Sequence, residues 1–143
     1  MMKPHVKQLL FAILAVIAGI LVGGMMVGAV EALGHRVYPV PADLDPSDPK
    51  ALGEYIAQLP AGAFLFVLLA FAIGALAGSM VASLIGGRIH GIIVGAVLCL
   101  FGFLNLVMIP HPVWFGPGVL IANGLGTMFG IQAARNPGGN RES

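Results

Sequence analysis

Four long apolar runs alternate with short polar breaks along the chain, at about residues 8–33, 61–86, 91–109 and 113–134. A helix needs about 20 apolar residues to cross about 30 Å of hydrocarbon, and each run is of that order. No Asp, Glu, Lys or Arg lies deep within any of them. The pattern predicts an all-α fold: an integral membrane, four-helix transmembrane bundle forming one domain over 1–143.

The breaks are unequal. Residues 34–60 form the only long one, and they predict a loop with a short helix of its own. Pro39 and Pro41 force an extended path. Asp48-Pro49 reads as an N-cap followed by proline at the first helical position. Leu52, Tyr55, Ile56 and Leu59 then recur at helical spacing, with Lys50, Glu54 and Gln58 elsewhere on the wheel. This predicts an amphipathic helix that lies in the membrane interface or lids the bundle, ended by Pro60. The other breaks, Gly86–His90 and Pro110-His111-Pro112, predict tight turns. Gly34 is expected to cap the first helix at its C-terminus, with Tyr38 as an interfacial anchor. The tail, 135–143, is polar and glycine-rich and is expected to be disordered.

A cleaved signal peptide competes for the first run. Lys3 and Lys7 would supply its basic start and Val27-Gly28-Ala29 a cleavage site. The run exceeds the roughly 7–15 apolar residues of such a segment, so it reads as an uncleaved span.

Composition adds to the pattern. Hydrophobic residues make up 58% of the 143 and charged ones 9%, against about 25% charged in a soluble domain. The excess apolar surface calls for a lipid bilayer as partner. A net charge of +1 does not suggest nucleic acid. One cysteine, Cys99, cannot form an internal disulfide. Four spans put both termini on one side, with Lys3, Lys7, Arg88, Arg135 and Arg141 against Arg36 and Lys50 on the other. Basic residues collect on the cytoplasmic side, so both termini are expected in the cytoplasm of a multi-pass cell-membrane protein, with 34–60 extracytoplasmic.

Small residues define packing. Ala70, Gly74, Gly78 and Ala82 repeat every four positions, a stripe on which another helix can approach closely. Ser79 and Ser83 are expected to bond back to their own helix. The two halves of the chain do not repeat one another, so internal inverted-repeat transport symmetry is not supported; a homo-oligomer would have to supply it.

Candidate chemistry is sparse. Glu31 and His35 are four residues apart, and His111 sits in a turn on the same side of the bundle. A carboxylate and two imidazoles are a ligand set for a divalent metal such as zinc, or an acid–base group for a membrane-embedded hydrolase. Their spacing matches no named metal motif, and polar side chains at the headgroup level are ordinary. Asn105 and Asn123 lie inside spans and are expected to face the bundle interior. They read first as interhelical glue and second as the lining of a transport path. Trp114 reads as an interfacial anchor, and His5 and His90 as solvated. No cofactor is expected: Walker, nucleophile-elbow and dinucleotide signatures are missing. The sequence points away from an enzyme. It points to a membrane protein acting through helix or loop contacts with itself or a partner, with a small transporter or channel as the alternative.

Overall fold

A computed structural model describes residues 3–135. They form five α-helices: α1 (Pro4–Val37), α2 (Pro49–Gln58), α3 (Ala61–Gly86), α4 (Arg88–Met108) and α5 (Phe115–Arg135). The fold is all-α. Three helices, α1, α3 and α4, are long and apolar enough to cross a membrane. Of the tail expected to be disordered, 135–143, Arg135 is instead the last residue of α5, and residues 136–143 lie outside the described ones.

α3 is the central element and packs against α1, α4 and α5, while α1 and α5 do not touch. The α1–α3 contact is made by glycine. A methyl group at Gly19 would sit 2.7 Å from the Gly78 carbonyl oxygen, and one at Gly78 equally close to the Gly19 carbonyl. One turn along, Gly23 and Gly74 oppose each other in the same way, at 2.9 Å. Residue numbers rise on α1 as they fall on α3, so the two helices are antiparallel. The stripe Ala70, Gly74, Gly78 and Ala82 is buried throughout.

α5 runs parallel to α3, with Gly126 against the Ala72 carbonyl and Gly130 against that of Leu76. α4 runs back along both. Gly95 meets Thr127 and Gly102 meets Val119. The α3–α4 reversal needs a single residue, Gly87, whose φ of 87° is the left-handed backbone that glycine adopts freely. Its N–H bonds to the Ser83 carbonyl, closing α3. Pro4 and Arg135 therefore share one end of the bundle with Gly87. The opposite end carries the 38–48 segment, α2 and the α4–α5 turn.

Large apolar side chains point outward. Leu9, Phe11, Leu65, Phe101, Leu120, Ile121 and Phe129 are exposed, while the interior is rich in Gly and Ala. A water-soluble fold does the reverse. This is the distribution of a bundle whose solvent is lipid.

Some local expectations need correction. Gly34 does not cap α1. It lies inside the helix, buried against Phe66, and Tyr38 closes the helix through its N–H to the Gly34 carbonyl (2.8 Å). The last turn instead carries Arg36, a cation suited to a helix C-terminus, with His35 beside it. His90 is in the first turn of α4, half-buried against Gly86. The Ser79 and Ser83 hydroxyls form no back-bond; with Thr127 Oγ1 and His90 Nδ1 they are buried without a partner among the described residues. Ser83 fits against Gly91 and Thr127 against Gly95, so these side chains serve as small packing units.

Candidate functional site

The loop end of the bundle holds a half-open cavity of about 410 Å³. Sequence explains why it opens there. Below it, glycines let the helices close. At the loop end α3 begins with Phe64 and Phe66, and both rings line the cavity.

Each wall comes from a different element. α1 contributes Glu31, Gly34 and His35 from its last two turns. α3 contributes Ala63, Phe64, Phe66 and Val67. α4 contributes Asn105, and Ile109 and His111 follow from the turn beyond it. The roof is the 38–46 segment with α2, through Tyr38, Leu44, Leu52, Tyr55, Ile56 and Leu59. α2 is set by its cap: Asp48 Oδ1 accepts from the Lys50 N–H (2.9 Å) and the Ala51 N–H (3.4 Å). Its apolar residues face inward, half-buried, and Lys50, Glu54 and Gln58 are exposed. The preceding turn is closed by Asp45, which accepts from the Ser47 hydroxyl (2.6 Å) and backbone N–H (2.8 Å). Both bonds hold the Asp45 carboxyl below its ordinary range.

Aromatic contacts fix the frame. Tyr38 meets Phe66 edge-on at 6.0 Å. The His111 ring lies flat on Phe115, 4.5 Å between centroids and 3° between planes, and Phe64 meets both edge-on. His111 Nδ1 donates to the Ile109 carbonyl at 2.6 Å. The carbonyl can only accept, so the neutral ring keeps its lone pair on Nε2. Burial pushes the His111 pKa below the usual 6.5, and the backbone bond acts the other way.

Glu31, His35, His111 and Asn105 thus line one cavity. Among the described residues no three His, Cys, Asp or Glu side chains are grouped to hold an ion. His111 is held by Phe115 and Ile109 on the α4–α5 side, and His35 is exposed on the last turn of α1.

Asn123 lies elsewhere. It is 2% exposed, deep between α4 and α5. In the amide orientation that satisfies both groups, its nitrogen donates to the Gly95 carbonyl (3.1 Å) and its oxygen accepts from the Cys99 N–H (3.3 Å). At the level between the two asparagines, Gly102 is covered by Val119 and Phe71. The cavity therefore includes Asn105 and stops short of Asn123.

The walls Phe64, Phe66 and Val67 had no distinguishing mark in the sequence, because every phase of that run is apolar. The roof did: the helical spacing of Leu52, Tyr55, Ile56 and Leu59 announces a face that needs cover.

The chain matches no protein-family model, and no curated protein or solved structure matches it.

Proposed function

We propose that this chain is a four-span membrane protein that binds a small, largely apolar molecule at its loop end. The observation that carries the reading is the cavity of about 410 Å³, roofed by a separate amphipathic helix. Its size falls in the range of about 300–1,000 Å³ used for small molecules, and its mostly apolar lining with a few polar groups is the usual composition.

α5 serves as the fourth span. Its polar and small residues, Asn123, Gly126 and Gly130, are buried against α3 and α4, and Leu120, Ile121, Leu125, Met128 and Phe129 form its exposed face. Averaged hydropathy understates such a helix, since lipid meets only the outer face. With four spans both ends lie on one side. Lys3, Lys7, Arg88 and Arg135 at the terminal end, against Arg36 and Lys50 at the loop end, put the termini in the cytoplasm. The cavity then opens on the outer side of the cell membrane.

The binding reading is tested with an uncharged aryl diazirine photolabel on the purified protein. Labelling should be saturable and map to Leu52, Ile56, Phe64 and Val67. Ala63→Phe, which fills the cavity, should abolish the saturable part while preserving thermal stability. Labelling confined to outward positions such as Leu120 and Phe129 would reduce the cavity to a packing gap.

A further inference from the structure

We infer that the cavity selects a free lipophilic cation, an inference that rests on the binding reading above. The first ground is charge. Glu31 is the one carboxylate among the lining residues, and no lysine or arginine joins it. The lining bases are His35 and His111, while Arg36 and Lys50, the nearest arginine and lysine in sequence, are exposed and stay outside it. A half-buried carboxylate in an apolar enclosure attracts a cation more strongly than an exposed one does, because water screens it less.

The second ground is the aromatic part of the lining. Tyr38, Tyr55, Phe64 and Phe66 are all lining residues. Aromatic faces carry negative potential and stabilise an ammonium or phosphonium centre, most of all one stripped of water. Leu52 and Ile56 from α2 cover an apolar body. One carboxylate, several rings and an apolar roof fit a bulky organic cation. They do not fit a hydrated metal ion, which would need several oxygen ligands. A choline or ethanolamine lipid carries the same cationic chemistry but brings a phosphate beside it. That phosphate would lie near Glu31, so the geometry favours a cation with no attached anion.

Three probes of similar bulk separate the questions: tetraphenylphosphonium, tetraphenylborate and uncharged triphenylphosphine oxide. Each is titrated into the full chain in non-ionic detergent at about pH 8, above the ordinary histidine range. The phosphonium should bind at one saturable site, at least about tenfold tighter than the borate, tenfold being about 1.4 kcal/mol. Glu31→Gln should lose about that factor for the phosphonium and leave the oxide unchanged. Glu31→Asp should recover part of it, which also controls for folding. Dihexanoyl phosphatidylcholine should not displace the phosphonium. Equal binding of all three probes would overturn the cation inference and leave the binding reading intact, as would an unchanged Glu31→Gln. Displacement by the lipid would overturn the assignment to a free cation. Failure of all three probes to bind would remove both readings.

Discussion

The two halves of this bundle are packed by opposite means. Toward the terminal end the interior is Ala75, Ala82, Val94 and Leu98, with Gly19 and Gly78 bringing two backbones together. Toward the loop end it is Phe64, Phe71, Phe115 and Val119, with Ile56 and Leu59 laid over them. Lipid tails are as apolar as leucine, so helix association in a membrane rests on close packing rather than on escape from water. Small residues provide that packing by letting main chains touch. Large rings fill the loop-end half instead, and the cavity lies beside them. One half holds the bundle together, and the other leaves room for a ligand.

The largest effect should come from the tight half. Gly78→Leu places a branched side chain where even a methyl group would meet the Gly19 carbonyl at 2.7 Å. Backbone cannot yield as a side-chain tip can, so the cost should be on the order of 3 kcal/mol. Leu76→Ala, on the same helix but at the bundle surface (36% exposed), should cost less than about 1 kcal/mol. Thermal unfolding in detergent compares them. Equal midpoints would mean that the α1–α3 contact contributes little, and the contrast between the halves would dissolve.

A smaller and local effect belongs to the loop end. Asp48 caps α2 through two backbone N–H groups, so Asp48→Ala should cost about 1 kcal/mol. α2 meets the bundle only through half-buried side chains and has no fully buried residue. The loss should therefore stay local. Amide exchange should quicken over residues 50–58 by about fivefold, with little change in α3 or in the global midpoint. A matching fall in global stability would show that the roof and the bundle unfold as one unit.

The sequence made the two halves unequally legible. Period-four spacing of Ala70, Gly74, Gly78 and Ala82 marks a close-approach face before any coordinates exist, and the structure buries all four. Asp48-Pro49 likewise announces the start of α2, because capping is local chemistry. Gly34 misled for an instructive reason: glycine is favoured both as a helix cap and as a contact surface, and only the position of Phe66 decides between them. The cavity was legible in part. Glu31, His35, Asn105 and His111 stand out as polar residues in an apolar chain, and they do line one space. That they share one space depends on how the helix ends and the α4–α5 turn meet, which no spacing rule records.

The smallest effect turns on His111, which lines the cavity of the wide half yet is held on several sides. Its ring is stacked on Phe115, Phe64 stands against its edge, and its Nδ1–H is bonded to Ile109. Burial lowers its pKa below the usual 6.5. A depressed pKa means that the folded state prefers the neutral ring, so the unfolded chain binds more protons in the window just below 6.5. Stability then falls with pH across that window and levels off beneath the folded pKa. Above the window the full contribution is present. His111→Phe keeps the stack and removes the titration, so parent and variant midpoints should run parallel above about pH 7 and separate as pH falls, with the parent losing more. The difference between the curves isolates His111 from the other three histidines. A parent that gained stability on acidification relative to the variant would place His111 beside an anion, and Glu31 would be the group to suspect. The two sides of the cavity would then be closer in solution than their separate anchoring implies.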